Sequence, residues 1–497
     1  MVTIFSEIDI WQAMAGFLAA IVPFAYAQED SAQSSVPPQN AKIAPARATG
    51  PLRVHPGNPR YFTDGSGKAI YLAGSHTWVN FKDYGTTGPP PAFDYTAFLE
   101  FLVQHNHNFF RLWAWELPKS TSGQSKELWF RVPFPWVRPG PGMATDGKPK
   151  FDLQKFDKSY FERLRDRVIA ARDRGIYVAV MLFDGYGPQF NRSENDGFPY
   201  DAANNINGIS CGGTESQSLT NPAVTAIQEA YVRKVIDTVN DLDNVLYEIA
   251  NESGGYSTGW QYHMIDYIKK YEAAKPAQHP VGMTFQYSGG KNETLFLSNA
   301  DWISPSGADG YGYPNVDPPA ADGSKVIIND TDHSFYYTGL QEVGLPAQRA
   351  WVWKNFLRGN NVAFMDPYLV EWPGRNKPDG SNVDPYWETL RVNMGYTRIY
   401  AEKMNLAAAK PRGELASTGY CLANPGKEYL VYLPDGDQVT LDLSSSSGAF
   451  RVEWMDPVQG KIIPDKDVTG GSKRIFRTPF PNDAVLYLRA EDYGQNR

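Results

Sequence analysis

Two acidic strand ends carry the chemistry this sequence can do. The stretch NVLYEIANES, residues 244–253, is apolar and then delivers Asn251 and Glu252. Further on, Val326, Ile327 and Ile328 run into Asn329, Asp330, Thr331, Asp332 and His333. Two carboxyl groups held at the ends of two buried strands suit the cleavage of a glycosidic bond. One must protonate the departing oxygen and the other must trap or stabilise the oxocarbenium-like carbon. Glu252 is the expected acid/base, because a neighbouring carboxylate raises its pKa. Asp330 or Asp332 is the expected nucleophile. Asp330 comes straight off the strand, and Asp332 follows two residues later on the same face.

The elements that must position these acids are visible in the hydrophobic pattern. From residue 70 to 410, short apolar runs alternate with amphipathic stretches. The runs are AIYLAG (69–74), NFFRLWAW (108–115), IYVAVMLF (176–183), NVLYEIA (244–250), PVGMTF (280–285), DWIS (301–304), KVIIN (325–329) and VAFM (362–365). Helical patterns cover 158–174, 221–240, 259–273, 347–358 and 385–405. Strands buried on both faces that alternate with helices indicate parallel β/α units. Eight such units predict a (β/α)8 TIM barrel. An open doubly wound sheet is the alternative, but no G-x-G-x-x-G follows the first strand. No helical pattern follows the sixth run.

In such a barrel the active site lies at the C-terminal strand ends. Those ends supply His76 and Trp78, then Arg111, Trp113, Trp115 and Glu116, then Asp184. Asn251 and Glu252 follow, then Gln286 and Tyr287, then Asp330, Asp332 and His333. Asp366 ends the eighth run, with Tyr368, Glu371 and Trp372 beyond it. All are candidate substrate-binding groups around the acids. Arg111 is placed to keep the nucleophile ionised through a charge-assisted hydrogen bond, and Asn251 to hold a sugar hydroxyl. The 188–222 insertion, with Phe198 and Tyr200, is expected to narrow the cleft, which favours exo action.

The whole chain fits this reading. It has 497 residues, 42% of them hydrophobic, with 13 Trp, 29 Tyr and 26 Phe. That length supports more than one domain. A net charge of −8 and the lack of a basic block argue against nucleic-acid and anionic-membrane partners. Residues 1–27 read as a signal peptide. An apolar stretch from Met14 to Phe24 precedes Ala25-Tyr26-Ala27, although Glu7 and Asp9 stand where basic residues are usual. The expected location is therefore secreted or periplasmic, with cleavage after Ala27. No later run is long enough to span a membrane. Residues 28–50 are rich in Ala, Ser, Gln and Pro and predict a disordered linker, ahead of a catalytic domain at 51–410. After Pro411, short alternating strands at 428–433, 438–443, 450–455, 473–476 and 484–489 predict a small antiparallel β-sandwich at 411–497. Cys211 and Cys421 do not make a disulfide framework, and Cys421 reads as a buried thiol.

Two motifs mislead. Gly208-Ile209-Ser210-Cys211-Gly212 matches G-x-S-x-G but lacks the strand before and the helix after. The seven His are scattered, and no H-E-x-x-H exists. No cofactor is required by the expected chemistry.

The Asn-Glu after the fourth strand and the Arg of NFFRLW resemble the large retaining clan of (β/α)8 glycoside hydrolases. NPRYFTDGSGKAIYLAGSHTW (58–78), NDTDH (329–333) and AWVWKNFLRGNNVAFMDPY (350–368) are similar to the apiosidase-like glycosidases. The tail from Tyr420 to about Gly460, with EWMDPVQG (453–460), resembles a C-terminal collagen-binding-type domain. The resemblance implies a retaining hydrolase acting on a plant- or bacterial-type carbohydrate. In that family the strand-four acid is an Asp after two glycines and the strand-seven acid is a Glu. Here the lengths are exchanged, so apiose specificity does not carry over. A non-catalytic glycan-binding barrel and a matrix-adhesion protein are the alternatives.

Overall fold

The computed structural model describes residues 43–44, 46–121, 127–306, 323–334, 340–366, 368 and 385–491. Eight parallel strands form the barrel: β1 (Ala73–His76), β2 (Phe109–Leu112), β3 (Tyr177–Asp184), β4 (Val245–Asn251), β5 (Val281–Thr284), β6 (Trp302–Ser304), β7 (Val326–Asp330) and β8 (Asn361–Met365). Their hydrogen-bonded order is β1-β8-β7-β6-β5-β4-β3-β2, each strand parallel to its neighbours. Asn108 joins the two ends. Its side-chain amide donates to Tyr71 O at 2.9 Å and its Oδ1 accepts from Ala73 N at 2.9 Å. The backbones of β1 and β2 come so close there that a Cβ on Gly74 would fall 1.9 Å from Phe109 O. Asn361 stitches another pair of strand bases in the same way, accepting from Leu72 N and donating to Ile327 O, while Asn244 donates to Ile176 O and to Val168 O of the helix before β3. A buried backbone group needs a partner, and an amide side chain supplies a donor and an acceptor together.

Among the described residues the longer helices around the strands are α1 (Tyr95–Gln104), α2 (Lys158–Arg172), α3 (Pro222–Val239), α4 (Thr258–Glu272), α5 (Asn292–Leu297), α6 (Leu340–Leu357) and α7 (Pro385–Lys403). Asp94, Asp157 and Asn221 accept backbone N–H groups at the starts of α1, α2 and α3, which fixes where those helices begin. The stretch after β6 lies outside the described residues. The first strand is the one displaced from its expected place. AIYLAG loses its start to a hairpin, where Ile70 N bonds Phe62 O at 2.7 Å, so β1 begins at Ala73 and carries His76 within it.

The C-terminal strands are β9 (Lys410–Pro411), β10 (Cys421–Asn424), β11 (Glu428–Leu433), β12 (Gln438–Asp442), β13 (Ala449–Met455), β14 (Ile462–Thr469), β15 (Lys473–Arg477) and β16 (Ala484–Ala490). Six form one sheet in the order β9-β10-β11-β16-β13-β14, and β12 pairs with β15. Alternation along β11 sends Tyr429, Val431 and Leu433 into the core shared with Val439, Leu441 and Phe476 of the smaller sheet. Leu430 and Tyr432 point the other way. With Val485 and Tyr487 of β16 they pack against Trp353 of α6 and Tyr400 of α7. Each such burial is worth about 1.5–3 kcal/mol. Arg349 on α6 closes the contact on Asp483, Nη2 to Oδ1 at 2.7 Å, both buried. Barrel and sandwich therefore share one apolar layer. The pattern at 462–469 was missed in the sequence because β14 is an edge strand. It is mostly exposed and carries Pro464, which only an edge tolerates.

Candidate active site

Alternation places three ionic side chains in the top interior layer of the barrel. Phe109, Leu246 and Ile328 fill the layer below, and two residues on along each strand stand Arg111, Glu248 and Asp330. Arg111 donates through Nε to Glu248 Oε2 at 2.8 Å and through Nη2 to Glu248 Oε1 at 2.5 Å. Its Nη1 reaches Asp330 Oδ2 at 2.9 Å, and Nη2 also reaches Asn251 Oδ1 at 2.5 Å. His76 Nε2 meets the same Asp330 oxygen at 2.7 Å. Trp113 lies nearly parallel to the His76 ring, centroids 5.6 Å apart, and the Arg111 guanidinium sits 5.1 Å from the Trp113 ring. Every ionic group in this layer is buried and paired. Glu248 was not anticipated. The signal was available: a carboxylate in the middle of an otherwise apolar strand demands a buried cation.

Glu252 and Asp332 stand one step higher and are treated differently. Asp332 N donates to Asp330 Oδ1 at 3.0 Å, which turns its side chain back over the barrel axis. Its carboxyl lies 3.8 Å from Arg111 Nη1 and shares a hydrogen bond with Glu252. Burial and the adjacent Asp330 charge raise the Asp332 pKa, and Arg111 and His76 oppose that rise. Glu252 is raised well above the ordinary carboxylate range by burial first, then by the charges of Asp332 and Asp184. The shared hydrogen bond raises Glu252 and lowers Asp332, so one proton is held between the two carboxyls. The Glu252 backbone is left-handed, with φ 51°. A residue with a Cβ adopts that conformation at a cost, and such strain gathers at working sites.

The other predicted site residues divide by what they touch. Asp184 accepts Tyr186 N at 2.9 Å and caps the short helix Tyr186–Phe190, while burial pushes its pKa up to about 6. Glu116 is raised well above the ordinary range by burial and by Asp184. It borders a cavity of about 30 Å³ with Lys82, Trp115, Phe134 and Tyr200, room for about one water. Lys82 is buried there, 3.6 Å from the Phe134 ring centroid, and burial lowers its pKa to about 7. Trp115 donates Nε1 to Trp78 O at 2.7 Å, and Arg131 stacks on its ring at 4.4 Å. Gln286 is bound to Gly254 O and Ser257 Oγ and fastens the loop after β4. Asp366 is taken up by Arg391 of α7, at 2.7 and 2.5 Å, and so ties that helix to β8 instead of facing the acids. Tyr287 sits half-buried at the rim beside Phe190. The His333 side chain, Glu371 and Trp372 lie outside the described residues.

One expectation changes. Phe198 and Tyr200 do not narrow the cleft. They are buried beneath Trp136, because Asn204 and Asn205 fold the insertion back on itself. Cys211 and Cys421 are both buried and free. Asn80, unforeseen, binds Arg111 O at 2.7 Å and Trp113 N at 2.9 Å and so fixes the end of β2. Ser210 sits exposed in a loop, as the failed G-x-S-x-G context predicted. Among the described residues no group of three or more His, Cys, Asp or Glu is placed to hold a metal ion. No helix among them is long and apolar enough to cross a membrane.

A family model described as "Domain of unknown function (DUF6298)" matches residues 122–287. No curated protein matches the sequence. Solved structures do. A glycoside hydrolase family 5 protein from Bacteroides vulgatus aligns with a TM-score of 0.61 at 15% identity, covering 89% of this chain and 93% of that one. A second glycoside hydrolase aligns with a TM-score of 0.59 at 15% identity, covering 89% and 97%. The structural neighbours are thus glycoside hydrolases, and at such identities the likeness is one of fold: a (β/α)8 barrel with its accompanying β domain.

Proposed function

We propose that this protein is a glycoside hydrolase in which Glu252 is the general acid/base and Asp332 the nucleophile. The observation that carries the reading is the Glu252–Asp332 pair: two carboxyls from β4 and the end of β7, sharing one proton over a paired ionic layer. Glu252 holds the proton, as an acid awaiting a leaving oxygen must. Asp332 is the ionised partner, within reach of Arg111. Asp330, whose Oδ2 is taken by both His76 and Arg111 and whose Oδ1 accepts Asp332 N, acts as the anchor of Asp332.

Catalysis then follows from charge. A sugar entering between the two groups replaces their mutual hydrogen bond, because a retaining pair needs about 5–5.5 Å between its carboxyls. Asp332 attacks the anomeric carbon while the Glu252 proton passes to the departing oxygen. Glu252, now ionised, takes a proton from water, and that water releases the sugar from Asp332. Asn251, its Oδ1 fixed by Arg111, uses its amide N–H in this reading to hold a sugar hydroxyl.

The finer assignments rest on sequence likeness. The stretches at 58–78, 329–333 and 350–368 support a divergent apiosidase-like branch, and residues 420–460 a collagen-binding-type module. The A-x-A site at residues 25–27 supports export to the periplasm or medium, with 28–50 as a linker before the catalytic domain. A carbohydrate is the proposed partner. The test is a screen of the purified protein against plant and bacterial polysaccharides beside a Glu252→Gln control. Sugar release by the wild type alone supports the hydrolase. Equal release by both proteins removes Glu252 from the mechanism, and binding without release by either leaves a glycan-binding barrel.

A further inference from the structure

Aromatic rings crowd one side of the mouth. Phe190 is 45% exposed and Tyr256 44% exposed, whereas most aromatic side chains of this chain are buried. Phe190 meets Tyr186 with ring centroids 5.6 Å apart and Tyr287 edge-on at 5.2 Å. These residues come from the loops after β3, β4 and β5. Singly exposed rings need no explanation, but an apolar ridge assembled from three loops does.

The ridge is also fixed to the acid. Gln189, beside Phe190, donates Nε2 to Glu252 O at 3.2 Å. Gly255 N donates to Ser288 O at 2.9 Å, which ties the Tyr256 and Tyr287 loops together. Gly254 fits between them only because it lacks a side chain: a Cβ there would lie 2.5 Å from both Gln189 Oε1 and the Tyr256 ring. The rings are therefore held on the Glu252 side of the cleft. Asp332, His76 and Trp113 occupy the other side, over β7, β1 and β2.

From this arrangement we infer that Phe190, Tyr256 and Tyr287 form a stacking subsite for a sugar ring in the leaving group. This deepens the reading of Glu252 as the acid and rests on it. The group that departs takes its proton from Glu252, so it must lie on the Glu252 side. What the rim offers there is a half-exposed apolar platform. A pyranose ring has one face of C–H bonds that covers such a platform, with its hydroxyls left at the edges for water and for Gln189. The substrate class is thus an oligosaccharide or polysaccharide with a sugar on both sides of the cleaved bond, rather than the glycoside of a small alcohol.

The test compares two substrates in the full-length protein: the oligosaccharide identified by the polysaccharide screen and the matching 4-nitrophenyl glycoside. Phe190→Ala is expected to lower kcat/KM for the oligosaccharide about tenfold more than for the nitrophenyl glycoside, mainly through KM. Phe190→Trp is expected to restore the ratio. An equal loss on both substrates, or none on either, overturns the subsite. Titration of the Glu252→Gln protein with two- to four-sugar fragments from the same panel separates the two proposals. Fragment binding that Phe190→Ala abolishes, with no hydrolysis by the wild type, keeps the stacking site and removes the hydrolase. Hydrolysis with an unchanged substrate ratio does the reverse.

Discussion

Glu248 and Asp330 lie on the same two barrel walls as Glu252 and Asp332, one layer lower. The lower acids share a guanidinium, and Asp330 adds a histidine. The upper acids face each other, with Asp184 nearby and the Arg111 Nη1 no closer than 3.8 Å to Asp332. Each layer pairs a Glu from the β4 wall with an Asp from the β7 wall. What differs is the supply of cations. Where positive charge suffices, a carboxylate is a structural part. Where it falls short, the fold retains a proton that it can give away.

The largest effect that should separate the layers is on turnover. Glu252→Gln and Asp332→Asn are each expected to cut kcat by about 10²–10⁴-fold while thermal unfolding stays cooperative. A variant of either that keeps near-normal kcat breaks the assignment of the upper layer. The lower layer should respond in stability. Arg111→Met leaves Glu248 as a buried charge without its cation and Asp330 with His76 alone, and is expected to cost about 3–5 kcal/mol in chemical denaturation. A loss of activity without a loss of stability would move Arg111 from scaffold to chemistry.

Smaller shifts follow from the charges between the layers. Asp184 helps hold the proton on Glu252, so Asp184→Asn should move the alkaline limb of the kcat/KM profile to lower pH. An unmoved limb would mean that Asp184 serves only as the cap of the Tyr186–Phe190 helix. The gentlest effect is on folding. The Glu252 pKa is higher folded than unfolded, so the folded state binds the extra proton and loses stability as pH rises above the unfolded value of about 4.3. Glu252→Gln should therefore melt above the wild type at pH 7–8, and the gain should shrink as the pH approaches 4. A constant difference across that range would argue against the raised pKa.

The sequence carried the barrel because buried parallel strands must read as continuous apolar runs, and all eight were visible. It carried Glu252, Arg111 and the aspartate pair because polar groups at strand ends stand out against those runs. Which aspartate faces the opening was not visible. That depends on the backbone turn at Thr331–Ser334, where Asp332 N folds back onto Asp330. Asp366 and Gln286 have the same strand-end address as the residues proposed for the chemistry, yet Arg391 and the β4 loop claim them. The fate of Phe198 and Tyr200 was hidden for a related reason: an insertion rich in Asn can fold on itself as readily as over a cleft.

The shared apolar layer beneath β11 and β16 has a consequence for the order in which the chain is made. Among the described residues β16 is the last strand to be synthesised, yet it lies in the middle of its sheet, between β11 and β13. Until it inserts, the sheet is split in two, Tyr400 on α7 lacks the ring of Tyr487, and Trp353 on α6 is covered from β11 alone. The barrel, although its own strands are complete by Met365, thus waits for residues 484–490 before its last two helices are sealed. A nascent or nicked chain that ends before Ala484 should bind an environment-sensitive apolar dye and resist refolding, even though every residue proposed for the chemistry is already present.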